Sequence, residues 1–411
     1  AAALGRDDLD RRRAWVDSGD ILLVSGQPGR SRNGTASLLV TGWQHAAKAL
    51  RPLPDARRRP SGSGSRRRVE ELIVRPEAAA VLRGRSAVIR ALRRTLDDAG
   101  FLEVETPILQ AVHGGAAARP FRTHANAAGM DLTLRIAPEL YLKRLAVAGL
   151  SPVYEIGRNF RNEGMDASHH PEFTALEAYA PYTDYEDMRR LAQELVRAAA
   201  VALHGRPVLP LQGGEVDLSG DWPVVPVLDA VSAALGASVD LGTPLPRLRA
   251  LAGAHGVHVA ESADAARAIE DLYGKLVEPR TVRPTFFRDF PAESSPLTRP
   301  HRSLPGLAER WDLVAGGREL GTAYTELADP VEQRRRLTAQ SLRAAAGDPE
   351  AMEVDQDFLA ALELGMPPTG GLGLGVDRLL MLLTGLPIRG VLSFPLVRPE
   401  RSDRAGRQEA S

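Results

Sequence analysis

Residues 153–179 place side chains suited to binding phosphate and ammonium groups on two neighbouring strands. The segment predicts a strand, a polar loop and a second strand, on which alternation puts Phe173, Glu177 and Tyr179 on one face. Arg161 ends the first strand, and a guanidinium can bind a phosphate or carboxylate through two hydrogen bonds. Burying a carboxylate and a phenol without a ligand is costly. The pattern therefore favours a pocket floor over an ordinary surface hairpin.

Two carboxylates in the segment ERWDLVAGGRELGTAYTELADP, Asp312 and Glu319, could share a divalent cation. Its glycine pair predicts a two-residue hairpin turn that places Asp312 diagonally across from Glu319. Such diagonal Cα atoms lie about 7–8 Å apart, near enough for both carboxylates to share a cation. Glu326 has the opposite parity, so it faces the same cavity only if a bulge lies near Gly321. The alternative is that these carboxylates pair with arginines elsewhere.

The glycine-rich stretch TGGLGLGVDRLLMLL, residues 369–383, predicts close approach of the backbone to a ligand just before a helix. The expected acidic residue on a following strand is absent, and Arg378 lies on the first turn of the helix instead. The stretch therefore does not predict a dinucleotide-binding fold.

Taken together, these segments resemble the lysyl branch of the class II aminoacyl-tRNA synthetases. FLEVETPIL is similar to motif 1 of that family, FRNEGMDASHHPEFTALEAY to motif 2 and GLGLGVDRLL to motif 3, and GGAAARPF and RIAPELYLKRL also match the lysyl type. SPLTRPHRS, AERWDLVAGG and DPVEQRRRLTAQSLRAAAGDPEAM resemble one group more closely. That group is the synthetase-like C-terminal portion of two-domain lysylphosphatidylglycerol synthases, whose other half is a membrane protein.

The resemblance implies a role for each matching residue. Arg161 and Arg378 would be catalytic, Arg161 contacting both the ATP α-phosphate and the amino-acid carboxylate. The full set implied for ATP binding is Arg161, Glu163, His169, Phe173, Asp312, Glu319 and Arg378, with Asp312 and Glu319 holding Mg²⁺. The set implied for lysine is Gly115, Glu139, Arg161, Glu177, Tyr179, Thr322, Tyr324, Glu326 and Gly373.

Three positions depart from the lysyl pattern. Asp312 stands where the first metal ligand is usually Glu, and His170 replaces a usual Asn. Thr322 replaces an Asn that normally lies near the carboxylate of the bound amino acid, which leaves open whether the substrate is lysine or a close analogue. The two-domain group shares the Asp and the Thr.

The surrounding elements predict an α+β fold. The periodicity indicates helices over 86–100, 185–204 and 227–270 and another starting near Gly375, with strands over 20–42, 101–109, 284–290, 310–315 and 318–327. We expect an antiparallel sheet flanked by helices, as in a class II catalytic domain, preceded by a partial OB-fold.

Four regions are predicted along the chain. Residues 1–52 match only the second half of an anticodon-binding OB barrel, 53–69 form a linker rich in Arg, Pro, Gly and Ser, 70–398 form the catalytic domain and 399–411 a polar tail. The Arg-rich segments at 57–59 and 66–68 could contact RNA phosphates, or they are simply a solvated linker.

The amino-acid composition excludes several kinds of site and of protein. The chain has 411 residues, a formal net charge of zero and no cysteine, so it contains neither a disulfide nor a thiolate zinc site. Residues 1–90 carry 18 Lys and Arg against 9 Asp and Glu, which favours a polyanionic partner near the start of the chain. No apolar run is long enough to span a bilayer, and the start is polar, so we expect a cytoplasmic protein, or one at the cytoplasmic face of the membrane if it belongs to a longer protein.

The function that the sequence predicts is ATP- and Mg²⁺-dependent activation of L-lysine to lysyl-adenylate, followed by transfer to lysine tRNA. The resemblance implies a homodimer formed through motif 1 around Pro107 and fusion or association with a membrane lysyl-transferase half. The half barrel, which lacks a base-stacking platform, predicts weak anticodon recognition. Two alternatives stay open. One is a paralogue that passes a lysine-like amino acid to a protein or small molecule, and the other is a catalytically silent regulatory or tRNA-binding module.

Overall fold

The structure is a computed structural model that describes residues 5–54, 68–211, 214–345, 347 and 351–397. Most of the predicted linker (55–67), including the Arg-rich segment 57–59 and residues 66–67, and the predicted polar tail (399–411) lie outside the described residues. Contacts between Cα atoms divide the chain into two compact units, Ala1–Ala79 and Ala80–Ser411.

The first unit is built around one β-hairpin. Its elements are Arg6–Trp15 (α1), Ile21–Arg30 (β1), Ala36–Ala47 (β2) and Arg68–Val74 (α2). The two strands pair antiparallel, as the sequence predicts, and many of their apolar side chains are exposed. Asp20 anchors the strand ends, because its carboxylate accepts hydrogen bonds from His45 Nε2 at 3.0 Å, Lys48 Nζ at 2.9 Å and the Ala49 amide at 2.7 Å. Two strands do not make a barrel, so the partial OB-fold stays a prediction.

The second unit contains most of the helices and all remaining strands of the described residues. Its helices are Pro76–Asp98 (α3, which begins in the first unit), Glu139–Val147 (α4), Tyr185–His204 (α5), Val227–Leu235 (α6), Leu245–Ala254 (α7), Ala265–Leu272 (α8), Pro330–Ala345 (α9), Gln356–Leu362 (α10), Val376–Thr384 (α11) and Ile388–Val391 (α12). Short irregular turns of helix occur at Tyr273–Val277, Glu278–Arg280 and Ala292–Ser294.

The strands of this unit form one large sheet and two small ones. They are Leu102–Glu103 (β3), Leu109–Gln110 (β4), Arg122–Ala125 (β5), Met130–Leu134 (β6), Val153–Phe160 (β7), Glu172–Pro181 (β8), Val208–Leu211 (β9), Gly214–Asp217 (β10), Val224–Pro226 (β11), Thr285–Pro291 (β12), Leu307–Ala315 (β13), Arg318–Thr325 (β14) and Thr369–Gly375 (β15). The eight-stranded sheet has the order β11-β12-β13-β14-β15-β8-β7-β3.

The large sheet is mixed, which corrects the expectation of an antiparallel one. Its central strands are antiparallel, but the edge strands β11 and β3 pair parallel with β12 and β7. Parallel neighbours need a long crossover connection, and the chain provides one at each edge: α6 to α8 lie between β11 and β12, and the small sheet with α4 lies between β3 and β7.

Motif 1 contains much less strand than the sequence predicts. Within the stretch 101–109 only Leu102–Glu103 and the first residue of β4 are strand. Pro107 has no amide hydrogen to donate to a ladder. The neighbouring Thr106 is held by a side chain instead, since its amide and hydroxyl donate to Glu155 Oε2 at 3.1 and 2.7 Å.

The predicted helices are present, with two differences: α3 begins at Pro76, ten residues before its predicted start, and one long predicted helix is divided. Val88, Leu92 and Leu96 of α3 are completely buried, and the helix is followed by Gly100 with a positive φ of 82°. The stretch 227–270 is not one helix but three, because Gly236 ends α6 in the left-handed conformation and Pro244 precedes α7.

The two faces of the large sheet have different surroundings. One face packs against α3, α5 and α11 in the main hydrophobic core, to which β8 contributes Leu176 and Ala178 and β13 contributes Trp311. Residues of opposite parity, such as Glu177 and Tyr179, therefore point away from this core. That opposite face forms the floor of the candidate site.

Candidate functional site

A cavity of about 520 Å³ lies on the open face of the large sheet. All but one of the residues that the sequence predicts for the site line it: Gly115, Glu139, Arg161, Glu163, His169, Phe173, Glu177, Tyr179, Glu319, Thr322, Tyr324, Glu326, Gly373 and Arg378. Asp312 does not line it. The residues come from three strands (β8, β14 and β15), two helices (α4 and α11) and the loops that follow β4, β7 and β14.

A bulge in β14 explains how Glu319 and Glu326 reach the same cavity. Leu313 pairs with Gly321 and Val314 pairs with Glu319, so Leu320 is left unpaired between them. The sequence predicts a bulge near Gly321, because Glu319 and Glu326 otherwise face opposite sides of the sheet. The observed bulge lies at Leu320, one residue away. Gly321 allows it to pack, since a Cβ there would lie 2.5 Å from the carbonyl oxygen of Gly373.

One end of the cavity carries cations. The Arg161 guanidinium lies 5.1 Å from the centroid of the Phe173 ring, a cation–π geometry, and its Nε has no hydrogen-bond partner among the described residues. Burial lowers the pKa of Arg161, although the group stays charged at neutral pH. Arg161 is half-buried, and a guanidinium with an unused donor is well placed to bind an anion.

Arg378 lies beside this end and is held by its neighbours. Its Nη1 donates to the backbone oxygen of Glu319 at 2.9 Å, and Nη2 lies 3.4 Å from His169 Nε2. Asp166 in turn fixes His169, because its carboxylate contacts Nδ1 at 2.8 Å and accepts from the His169 amide at 2.8 Å. His170 points away from these groups, since its Nε2 accepts from the Leu396 amide at 2.9 Å.

The other end of the cavity is acidic. Glu139, Glu177 and Glu326 are each at least nine-tenths buried, and the hydroxyl of Tyr179 donates to Glu177 Oε2 at 3.2 Å. Burial, reinforced by Glu139, raises the pKa of Glu177 to about 8. Burial also raises the pKa of Glu326, and Lys143 opposes this rise. Buried carboxylates of this kind favour a cationic ligand.

A buried lysine lies between two of these carboxylates. Lys143 Nζ is 2.6 Å from Glu139 Oε1 and 2.5 Å from Glu326 Oε2, and the side chain is fully buried. Burial alone would lower the pKa of Lys143, but the two carboxylates outweigh it and raise the pKa. The ammonium is therefore charged. Neither Glu326 oxygen has a hydrogen-bond partner among the described residues, and Oε2 alone has the ion contact with Lys143.

Gly371 of β15 leaves room for this arrangement. A Cβ at position 371 would lie 1.9 Å from Glu326 Oε1 and 2.6 Å from Tyr179 Cε1. A side chain at this position would displace the acidic end of the cavity.

The two carboxylates implied for a metal, Asp312 and Glu319, differ in their access to the cavity. Glu319 lines the cavity. Asp312 is 2% exposed and already bonded: Arg310 donates to its two oxygens at 3.1 and 3.0 Å, and the Thr322 hydroxyl donates at 2.7 Å. Burial and the Glu319 carboxylate raise the pKa of Asp312 to about 6, even though Arg310 acts in the opposite direction.

The donor set therefore fits a cation at Glu319 better than at Asp312. In the described part of the chain, no three His, Cys, Asp or Glu side chains are arranged to hold a metal ion. The shared site on Asp312 and Glu319 stays a prediction, and a cation at Asp312 would compete with Arg310.

Several residues of the site are not among those predicted. Asn159, Arg310 and Asp377 line the cavity, and Lys143 neutralises two of its carboxylates. Two signals in the sequence could have found some of them. Asn159 lies two residues before Arg161 in the segment predicted as one strand, and Lys143 lies four residues after Glu139 on one helix.

Comparisons with known proteins agree on one family. The family described as tRNA synthetases class II (D, K and N) matches residues 64–398. The lysylphosphatidylglycerol biosynthesis bifunctional protein of Mycobacterium sp. (strain JLS) is 56% identical over 393 residues, which cover 94% of this chain and 35% of that protein.

Relatives from two other genera match this chain with similar identity and coverage. The proteins of that name from Gordonia bronchialis and Nocardia farcinica are each 55% identical, and the matches cover 93% and 94% of this chain. The chain spans about a third of the length of the curated relatives it matches, 34% and 35% for these two. In the described residues, no helix is both long and apolar enough to cross a bilayer.

Proposed function

Since the chain belongs to the class II tRNA synthetases of the D, K and N type, we propose that it activates L-lysine with ATP and transfers the lysyl group to tRNA. The observation that carries this proposal is the polarity of the cavity. Arg161 and Arg378 lie at one end, and Glu139, Glu177 and Glu326 lie at the other. ATP is anionic and the lysine side chain is cationic, so the two ends match the two substrates.

The proposed reaction needs positioning and charge neutralisation rather than a protein nucleophile. The lysine carboxylate attacks the α-phosphorus of ATP, a P–O bond to that carboxylate forms, and the bond to the leaving pyrophosphate breaks. Arg161, half-buried and with an unused donor at Nε, would neutralise charge on the carboxylate and the α-phosphate together. Phe173 would stack on the adenine, and Arg378 would contact its other face and the γ-phosphate.

Class II synthetases generally use Mg²⁺ with ATP, and the ion supplies further neutralisation of the phosphate charge. Glu319 is the carboxylate of this chain that would hold it from the cavity wall. Asp312 would instead orient Arg310 and Thr322, with which it is bonded. Removing Glu319 should therefore reduce ATP-dependent turnover more than the conservative change Asp312→Glu.

Lysine specificity would come from the acidic end of the cavity. Glu177, Tyr179 and Glu326 would take the ε-ammonium, while Glu139 and Gly115 would take the α-ammonium. Lys143 leaves Glu326 Oε1 without a partner, and that oxygen is available to a second ammonium. A site built this way rejects an isosteric side chain without the ammonium by about 10⁴-fold or more, because its carboxylates would be left unpaired.

The relatives' name suggests the use of the product. They are bifunctional proteins of lysylphosphatidylglycerol biosynthesis. We propose that this chain likewise provides lysyl-tRNA for lipid lysinylation, through a lysyl-transferase part that is fused to it or associates with it.

The decisive experiment is ATP–pyrophosphate exchange measured with every standard amino acid and with ornithine and norleucine. We expect exchange with lysine and none above background with norleucine. Norleucine within tenfold of lysine would refute the lysine assignment, and absence of exchange with all amino acids would favour a catalytically silent module. A chain that supports exchange with lysine but leaves tRNA uncharged would favour the paralogue with another acceptor.

A further inference from the structure

Glu177 lies directly opposite another glutamate at the acidic end of the candidate site. Glu155 of β7 pairs with Glu177 of β8 in the antiparallel register, so the two side chains lie on one face of the sheet. Both residues are buried, at 6% and 8% exposure. Two buried carboxylates placed this way repel each other unless a cation lies beside them.

A buried guanidinium provides that cation. Arg135 is 1% exposed, and its Nη1 lies 2.5 Å from Glu155 Oε1. The other oxygen of Glu155, Oε2, accepts from the amide and the hydroxyl of Thr106 at 3.1 and 2.7 Å. Both oxygens of Glu155 therefore have partners of their own, which leaves Glu177 as the carboxylate that faces the cavity.

Arg135 is held in place from several directions. Its Nε donates to the Arg158 carbonyl oxygen at 2.8 Å, and its Nη1 donates to the carbonyl oxygen and the hydroxyl of Thr106 at 3.2 and 3.1 Å. Its own amide donates to the Ile108 carbonyl oxygen at 2.8 Å, and its carbonyl oxygen accepts from the Phe160 amide at 3.0 Å. The positive charge therefore has a fixed position beside strand β7.

A glycine in β7 makes room for this guanidinium. A Cβ at Gly157 would lie 2.1 Å from Arg135 Nη2 and 3.0 Å from Glu155 Oε1. Glycine inside a strand weakens it and often marks the close approach of another group. The guanidinium thus lies over β7 at Gly157, two residues along the strand from the pair formed by Glu155 and Glu177.

The charges at this end of the cavity leave room for two more cations. Its buried carboxylates are Glu139, Glu155, Glu177 and Glu326, and its buried cations are Arg135 and Lys143. Glu177 is bonded to the Tyr179 hydroxyl and has no ion-pair partner among the described residues. Free lysine carries two ammonium groups, which together with the two resident cations would match the four carboxylates.

We propose that Arg135 and Glu155 are positioning residues of the amino-acid site, whose ion pair occupies the place opposite Glu177 and keeps the Glu177 carboxylate available to an ammonium group. Without Arg135, Glu155 would face Glu177 as an uncompensated like charge. Without Glu155, the Arg135 guanidinium would be free to attract Glu177 itself. The inference deepens the proposed function and rests on it for the identity of the ligand.

The two members of the pair act on Glu177 in opposite directions. Burial and Glu139 raise the pKa of Glu177, Tyr179 and Arg135 lower it, and Glu155 raises it. The charged or titratable groups around Glu177 are Glu139 and Lys143 of α4, Arg135 between β6 and α4, Glu155 of β7, Arg161 after β7, Tyr179 of β8 and Glu326 after β14. Removal of Arg135 or of Glu155 alone leaves all the other groups in place.

The test is a carboxyl ¹³C NMR titration of the full chain labelled at the glutamate Cδ atoms. The signal of Glu177 is identified by its loss in Glu177→Gln. Arg135→Gln should raise the pKa of Glu177 by about one pH unit and Glu155→Gln should lower it by about as much, as expected when one nearby charge is removed. The double variant Arg135→Gln/Glu155→Gln should return it close to the wild-type value. Shifts in the same direction in both single variants, or none, would overturn the proposal.

Two further variants separate charge from stability. Arg135→Lys keeps the charge and loses the planar fork, so it should lower the melting temperature and leave the pKa of Glu177 close to the wild-type value. Glu309→Gln is the matched control, because Glu309 is also buried and paired with an arginine, Arg302, and does not line the cavity. A control that moves the pKa of Glu177 as far as Glu155→Gln does would refute a specific role for the pair.

Calorimetric titration with lysine between pH 6 and 9 provides the second measurement. The pH at which lysine affinity reaches half its plateau should rise in Arg135→Gln and fall in Glu155→Gln. The NMR titration needs no substrate, so the two failures can be told apart. If the wild-type chain binds no lysine but the NMR shifts are opposite, the proposed function fails and the pair keeps its effect on Glu177. If lysine binds and the NMR shifts are absent, the proposal for the pair is wrong.

Discussion

Glu177 ties amino-acid binding to pH. Its pKa is raised to about 8 by burial, so at pH 6–7 the carboxyl group is protonated and an incoming ammonium must displace that proton. Affinity for lysine should therefore rise with pH, by up to about tenfold per unit, and level off above pH 8. Calorimetric titrations with lysine in buffers of different ionisation enthalpy should show release of a proton on binding near pH 7.

The matched variant is Glu177→Gln, which keeps the shape and cannot titrate. It should bind lysine more weakly and show much less pH dependence between pH 6 and 8. A pH dependence as steep as that of the wild-type chain would assign the proton to another group, such as Glu326.

For single residues, the sequence predicts which side chains face the cavity better than it predicts which side chains contact each other. Alternation along one strand was enough to predict that Phe173, Glu177 and Tyr179 share a face, and all three line one cavity. The contact of Lys143 with Glu326 could not be predicted, because it joins a helix to a strand far along the chain. Whether Asp312 faces a ligand or Arg310 also depends on tertiary packing rather than on spacing.

Helix α11 is held to the sheet by one buried carboxylate. Asp377 is 1% exposed, accepts from the Thr174 amide at 2.7 Å and is paired with Arg85 of α3. These contacts fix the first turn of α11, which carries Arg378, against β8, which carries Phe173. Helices α3 and α11 and strand β8 therefore share one anchor.

Asp377→Asn should loosen this anchor. It leaves Arg85 without its buried counter-charge, and breaking a buried pair typically costs about 3–5 kcal/mol. We expect a lower melting temperature and a KM for ATP raised about tenfold or more, with a smaller change in the KM for lysine. Equal changes in the two KM values would indicate general loosening of the fold instead.

Helices and strands were predicted correctly where the local sequence pattern is strong. Helix α5 begins and ends where periodicity predicts, and the capping box of Asp184 and Asp187 explains its sharp start. The hairpin of β13 and β14 also follows from its glycine pair. The parallel edges of the sheet were missed, because edge pairing depends on crossovers that periodicity does not reveal.

At the scale of the whole molecule, the surface around motif 1 carries exposed aliphatic side chains. Leu102, Ile108 and Leu109 are 51%, 45% and 52% exposed. Contiguous exposed apolar side chains often mark an interface, and the most common one is between two copies of a chain. This supports the prediction of a homodimer through the region around Pro107.

Leu109→Asp should separate that dimer. Light scattering after size exclusion should show a mass near twice 44.2 kDa for the wild-type chain and near 44.2 kDa for the variant. Leu342→Asp is the control, because Leu342 is also exposed, at 67%, and lies on α9. A wild-type chain that is monomeric at all concentrations would contradict the prediction.

The ammonium of Lys143 gives the pocket a permanent occupant that is covalently part of the chain. Lys143→Ala would leave a void with the outline of a propylammonium ion between Glu139 and Glu326. The variant should melt at a lower temperature, since loss of one partner of a buried ion pair costs about 3–5 kcal/mol. Added propylamine should restore part of that loss in a saturable way, whereas the uncharged isostere 1-propanol should not. Such chemical complementation would turn the pocket into a binding site for small amines between two carboxylates of the proposed lysine site.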